Sequence, residues 1–315
     1  MADLRRLLDE HEVVLTEGAV IERLKRNLAV QLDAYVANAT LACTDVGRLE
    51  MGRIYREYLD VGRAANLPMA VFTPTWRASA ERAERAGVGL DVNRVAYEML
   101  DGIRSDYGNY GAQVAVGGLI GPRADAYRPA TALPPDAALE YHRPQVEALA
   151  FAGVDFVMGA TLPALSEGLG IARAAAETGV ACLISFVLRP DGAVLDGTVL
   201  AAAIRRIDAE VSPWPLGYLV NCVHPETFRN AAAQLRAVEE ARLQMLGLQA
   251  NASRKPLAAL DCAEETDAGD PVEFGRQMAE FRKEFGLRML GGCCGTDARH
   301  IRAIARALGY CPDRP

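Results

Sequence analysis

Two short stretches hold the residues whose types and spacing suit chemistry: "VNC" at 220–222 and "GGCCGT" at 291–296. Each puts cysteine directly after a short apolar run. Three thiolates at one point suit a zinc ion at about 2.3 Å Zn–S distances and leave a fourth tetrahedral position open, which marks a catalytic rather than a structural site. Three thiolates leave the site net negative, so it generates hydroxide poorly. It can still hold a substrate thiol as a nucleophilic thiolate at neutral pH. The competing reading is packing, since cysteine is among the most buried residue types. The flanking Gly291, Gly292 and Gly295 favour the metal. Without β-carbons, they are expected to let the backbone take angles that aim both sulfurs of Cys293 and Cys294 at one ion.

The other cysteines share no such placement. Cys43 falls in a long first connection, Cys182 inside a strand, Cys262 in a loop after strand seven and Cys311 in the tail. Seven cysteines in 315 residues are too few and too odd for a disulfide framework. The N-terminus "MADLRRLLDEHEVVLTEG" has no apolar signal core, and no run approaches the ~18 apolar residues of a membrane span. A cytoplasmic location follows as an expectation, and there free cysteines point to metal or catalysis. A net charge of −7, with basic residues dispersed among acidic ones, argues against nucleic-acid or anionic-membrane partners.

The elements that must position these thiols are read from periodicity. Apolar runs at 13–16, 69–73, 113–118, 155–159, 181–187, 216–221, 245–249 and 287–291 read as strands. Stretches of helical period lie between them, many ending in glycine. Eight strands with crossover helices and no hairpin predict an α/β fold, a closed (β/α)8 TIM barrel, in one domain over 1–315. An open doubly wound sheet is the alternative, but no G-x-G-x-x-G or G-x-x-x-x-G-K-[ST] loop is present. The extended connection at 17–68 is expected to carry extra helix. In a barrel, chemistry gathers at the carboxyl ends of the strands, where Cys222 follows strand six and Cys293 and Cys294 follow strand eight.

With the cysteine motifs placed, the chain resembles the homocysteine S-methyltransferase family of zinc-dependent barrels, nearly from end to end. "TPTWRAS" (73–79), "GGLIGPRADAY" (117–127), "AGVDFVMGATLPALSEG" (152–168), "SFVLRPDGAVLDG" (185–197) and "LQANAS" (248–253) are similar to the family's segments in the same order. The resemblance implies zinc held by Cys222, Cys293 and Cys294, with the substrate sulfur as fourth ligand. It implies substrate contacts at Glu17, Gly18, Thr73, Trp76, Thr161, Asn221, Asn251 and Gly292. Asn221 would set the loop carrying Cys222, and Trp76 would lie against a cationic methyl donor. The implied reaction is an in-line displacement from a small sulfonium or quaternary-ammonium donor to a thiol, most simply homocysteine giving methionine. S-methylmethionine, S-adenosylmethionine and betaine all fit as donors. The chain closes soon after the CCG motif, so the donor is expected to be a small molecule or a separate protein. Barrels of this kind often self-associate, so a homo-oligomer is compatible with the sequence.

Two positions depart from the family, both at the amino-acid end of the acceptor. The first strand ends "LTEG" where the family has L-D-G-G, so Thr16 replaces an ammonium-binding Asp or Glu17 stands in for it. On strand four, Ala160-Thr161 stands where the family has Glu-Thr. These departures keep two alternatives open: the same zinc chemistry on another thiol or sulfonium compound, or a non-catalytic zinc-binding subunit. His142 and His300 read as packing or solvent-facing helix residues, and the acidic–basic alternation of "AAAQLRAVEEARLQ" as a solvated face. His224, two residues past Cys222, is a candidate neighbour of the metal.

Overall fold

The computed structural model describes residues 3–235, 245–255 and 267–310. Cys262, Cys311 and the part of the alternating-charge stretch at 236–244 lie outside the described residues. Eight strands close a barrel in sequence order: β1 (Val14–Thr16), β2 (Met69–Phe72), β3 (Val114–Ile120), β4 (Phe156–Leu162), β5 (Cys182–Phe186), β6 (Gly217–Asn221), β7 (Met245–Ala250) and β8 (Met289–Gly292). Every neighbouring pair is parallel, including β1 with β8, which seals the barrel. Such strands are covered on both faces, so their sequences are continuous apolar runs rather than alternating ones. All seven residues of β4 and all five of β6 are buried.

Among the described residues the α-helices are α1 (Leu4–Glu10), α2 (Ile21–Lys25), α3 (Asp45–Ala65), α4 (Ala80–Arg85), α5 (Asp91–Ser105), α6 (Pro135–Ala152), α7 (Leu165–Thr178), α8 (Leu200–Glu210), α9 (Pro225–Leu235), α10 (Pro271–Phe285) and α11 (Ala298–Ala307). Left-handed residues stop several of them, among them Asn66, Gly153, Gly179 and Gly286. The long connection after β1 carries α2, a 3-10 turn at Ala39–Cys43 and the 21-residue α3. Among the described residues no helix is long and apolar enough to cross a membrane.

The barrel interior is filled by Val14, Ala70, Phe72, Ala115, Phe156, Met158, Leu183, Leu219 and Met289. Helix α1 adds Leu4, Leu7 and Leu8 to this cluster, and its Arg6 reaches the Ala112 carbonyl just ahead of β3. It therefore plugs the amino end of the barrel, leaving the carboxyl end open.

Two strands run two or three residues further than their sequences suggest, β3 to Ile120 and β4 to Leu162. In β4 the register against β5 shifts between Gly159 and Leu162, and Thr161 takes a left-handed φ of 61°. Apolar periodicity cannot register such an irregular end. Ala160 and Thr161 thus belong to the barrel wall.

Candidate metal centre

Strand β6 delivers its cysteine through a strained residue. Cys222 itself has φ of 59°, a conformation that costs a residue with a β-carbon about 1–2 kcal/mol. Asn221 holds the strain in place. Its Oδ1 accepts the Thr161 amide at 2.8 Å and the Ser185 hydroxyl at 2.7 Å, and its Nδ2 donates to Thr161 Oγ1 at 2.8 Å. One buried amide side chain thus ties both left-handed residues together across three strands.

Strand β7 lies between β6 and β8 and sets the spacing of the two cysteine loops. The Cys222 amide donates to the Gln249 carbonyl at 3.1 Å, and the Cys293 amide to the Ala250 carbonyl at 2.7 Å. Asn251 continues the bracket, donating its amide to the Val223 carbonyl at 2.8 Å while its Oδ1 accepts the Cys294 amide at 3.0 Å. Thr296 closes the CCG turn with a 2.7 Å hydrogen bond from its hydroxyl to the Cys293 carbonyl. From α2, the Glu22 carboxylate accepts the Gly295 amide at 2.5 Å.

The glycines serve differently from the sequence expectation. Only Gly295 of the three is left-handed, with φ of 79°. Gly291 and Gly292 have ordinary backbones and are required by crowding, since a β-carbon on either would collide with the Thr16 or Thr296 side chain. The unusual angle that aims a sulfur belongs to Cys222, where no glycine advertises it.

The outcome is a cluster of three sulfurs, all within 4.8 Å of one another, with Cys222 and Cys294 Sγ 3.7 Å apart. Tetrahedral coordination at about 2.3 Å per Zn–S bond places sulfurs about 3.8 Å apart, so the donor set fits zinc in both kind and spacing. Tyr127 Oη stands 3.2 Å from Cys222 Sγ and donates to it when that sulfur is a thiolate. In the metal-free chain, hydrogen bonds from Cys293 and Cys294, ahead of those from Tyr127 and Asn251, hold the Cys222 thiol well below its ordinary pKa. Facing that charge, the Cys293 thiol is held well above its own. Cys182, buried with no such partners, is pushed up to about 12. The contrast separates a cluster built for charge from a cysteine that packs.

The sulfurs open onto a cavity of about 640 Å³ at the barrel mouth. Of the residues singled out in the sequence, Glu17, Gly18, Thr73, Trp76, Thr161, Asn221 and Gly292 line it together with the three cysteines. Asn251 does not; it stands behind the CCG turn. The structure separates Thr16 from Glu17. Thr16 is fully buried and accepts a hydrogen bond from Gln249 Nε2 at 3.0 Å, whereas Glu17 reaches the cavity and accepts the Phe72 amide at 2.9 Å. Burial pushes the Glu17 carboxyl up to about 8 against the lowering pull of that amide. Ala160 lies on the cavity wall beside Met158, and its carbonyl accepts the Trp76 indole N–H at 3.1 Å.

His224 is outside the lining and accepts the Glu226 amide at the start of α9. His142 and His300 are both fully buried, the first against Glu167, the second in the capping box of α11. Sequence reasoning gave no role to Tyr127, Arg77 or Glu22. Tyr127 and Arg77 fall inside family-like segments, but only the folded chain shows which atoms they approach. Glu22 carries no signal beyond its place in the long first connection.

The family model for homocysteine S-methyltransferase matches residues 14–308. Among curated proteins, the chain is 27% identical to the homocysteine S-methyltransferase of Escherichia coli (strain K12) over 332 residues, covering 96% of this chain and 97% of that protein. It is 26% identical to the S-methylmethionine–homocysteine S-methyltransferase BHMT2 of Pongo abelii, covering 98% of this chain and 81% of that protein. Among solved structures, the metallated form of the homocysteine methyltransferase MmuM from Escherichia coli shares the fold, with a TM-score of 0.76 at 22% identity over 96% of this chain and 99% of that one.

Proposed function

Because the chain belongs to the homocysteine S-methyltransferase family and is thereby a methyl-transfer enzyme, we propose that Cys222, Cys293 and Cys294 hold a catalytic zinc ion and that the accepting thiol is that of homocysteine. The observation that carries this is the three-sulfur cluster, tetrahedral in its Cys222–Cys294 edge and facing a cavity large enough for two small substrates. Bound zinc supplies the Lewis acidity that keeps an added thiol ionised at neutral pH.

The chain's own residues supply the rest. Asn221 fixes the direction of the Cys222 sulfur, and Tyr127 draws charge from it by hydrogen bonding. Phe72, Met158 and Ala160 give the reacting centre an apolar wall that excludes water. The donor's bond to its methyl group breaks with the electron pair remaining on the donor sulfur or nitrogen. The methyl carbon bonds to the acceptor sulfur, and the thiol proton goes to solvent. At the other end of the acceptor, the ammonium needs a carboxylate. Three carboxylates line the cavity among the described residues: Glu17, Glu22 and Asp125. Glu22 is committed to Gly295 and Arg26, and Asp125 to Tyr127 and Arg128, so Glu17 takes the ammonium. Binding there returns the Glu17 carboxyl to its charged form.

Metal analysis of the purified chain with and without Cys293→Ala tests the centre. About one zinc per chain, lost in the variant, is expected. A chain that purifies and reconstitutes without zinc would refute it. Calorimetry with homocysteine then tests the acceptor; no detectable binding removes homocysteine and leaves the fold and metal centre standing.

A further inference from the structure

In the closed barrel, β2 and β4 stand across the mouth from β6 and β8. The sulfurs lie on the second pair, and an in-line displacement requires the leaving group to lie on the far side of the methyl carbon from the attacking sulfur. The departing part of the donor therefore rests against the β2–β4 side. That wall is held firmly. Trp76 is pinned by its indole bond to the Ala160 carbonyl and by the Gly121 amide, which donates to the Trp76 carbonyl at 2.9 Å. Gly121 is obligatory there, since a β-carbon would stand 2.7 Å from Trp76 Nε1.

The next residue, Arg77, lays its guanidinium over the Trp76 ring at 4.4 Å and anchors Nη1 on the Ala124 carbonyl at 2.8 Å. It lines the cavity and makes no ion pair with a carboxylate among the described residues. Asp125 faces it, but Asp125 is bound to the Tyr127 amide at 2.9 Å and to Arg128 at 3.3 Å. Burial, then neighbouring Arg82, lowers the Arg77 pKa against the raising pull of Asp125, so its charge is held at a cost that Asp125 only partly offsets. One face of Trp76 is thereby covered by a cation, and an onium group laid beside it would be repelled.

Resting on the methyl-transfer reading above, we infer that Arg77 is a specificity-determining residue that receives the carboxylate of the methyl donor. The donor is then a zwitterion, onium end toward the sulfurs and carboxylate on the guanidinium. Its carboxylate offsets the cation and spaces the onium from it, while a donor lacking the carboxylate meets only repulsion. After transfer the onium charge is gone and the demethylated product keeps its carboxylate on Arg77.

The test uses the full chain carrying Trp214→Phe, which removes the exposed second tryptophan at the amino end of β6 and leaves Trp76 as reporter. Binding is followed by Trp76 fluorescence and by calorimetry. The probes are S-methylmethionine against its decarboxylated counterpart (3-aminopropyl)dimethylsulfonium, and glycine betaine against tetramethylammonium. At least one zwitterion is expected to bind, with Kd raised about tenfold or more by Arg77→Gln and partly restored by Arg77→Lys. The carboxylate-free partner should bind more weakly and be no weaker in Arg77→Gln. The inference is overturned if neither zwitterion binds, if Arg77→Gln leaves the zwitterion's Kd unchanged, or if it weakens both members of a pair equally. Because these readouts need no turnover, an absence of methyl transfer would sink the proposed function and not this one.

Discussion

The two sides of the barrel mouth are built on different principles. The sulfur side, on β6 to β8, is a backbone construction: Cys222 is left-handed, Gly291 and Gly292 are crowded, and main-chain amides of the cysteine loops bond to β7 carbonyls. The facing wall, on β2 to β4, is a side-chain construction in which Trp76, Arg77, Met158 and Ala160 present apolar surface and one cation. A backbone site has few tolerable substitutions, because its geometry is shared with the fold. A side-chain wall can be rewritten residue by residue without disturbing the backbone that frames it. Under the proposed function, the chemistry is fixed on one side while the choice of substrate is left adjustable on the other.

Substitutions on the sulfur side should therefore damage fold and metal together, and those on the facing wall should change recognition alone. The largest effect is expected from Asn221→Ala. It strands the Thr161 amide and releases two left-handed residues, so unfolding free energy should fall by about 2–3 kcal/mol, with zinc lost alongside. Denaturant midpoints and metal content check both; unchanged stability would break the comparison. Gly295→Ala should cost about 1–2 kcal/mol, because its φ of 79° is left-handed and the new β-carbon stands 2.6 Å from the Asp267 carbonyl. On the facing wall Arg77→Gln should lower the unfolding free energy by less than about 1 kcal/mol, and an equal loss would erase the distinction.

Glu17, between the two sides, gives a pH-dependent effect. Its carboxyl is raised from an ordinary 4.5 to about 8, so between those values the folded chain holds a proton that the unfolded chain has released. Stability attached to the neutral acid is complete below about pH 4.5 and declines as pH rises toward about 8. Melting temperatures of Glu17→Gln and the parent should run parallel in acid, with the variant gaining across that window; parallel curves throughout would show that Glu17 is not held neutral. A small effect is also expected from Tyr127→Phe, which removes one hydrogen bond to sulfur worth about 1 kcal/mol. Zinc content should hold, and the sulfur-to-metal charge-transfer bands of the cobalt-substituted protein should shift. Bands that do not move would leave Tyr127 without a role at the sulfur.

Much of this was legible in the chain. The eight strands stand where their apolar runs put them, because strands covered on both faces leave unbroken hydrophobic sequence. The three clustered cysteines were legible because cysteine is scarce and its chemistry narrow, and because "NC" and "CC" each follow a strand. Less legible were the ends of β3 and β4 and the part of each glycine, since a close approach involves a residue remote in sequence.

What the sequence determined by itself is the barrel, the family and the three thiols, all carried by residue type and local period. What only the tertiary structure decided is which residues face one another: Glu17 rather than Thr16 at the cavity, Cys222 rather than a glycine in the left-handed turn, Asn251 behind the cysteines, Tyr127 on a sulfur and Arg77 on Trp76. The physical reason is range. Periodicity and motif report interactions within a few residues, while the Tyr127 and Cys222 that meet here are 95 positions apart, and barrel closure alone sets their distance.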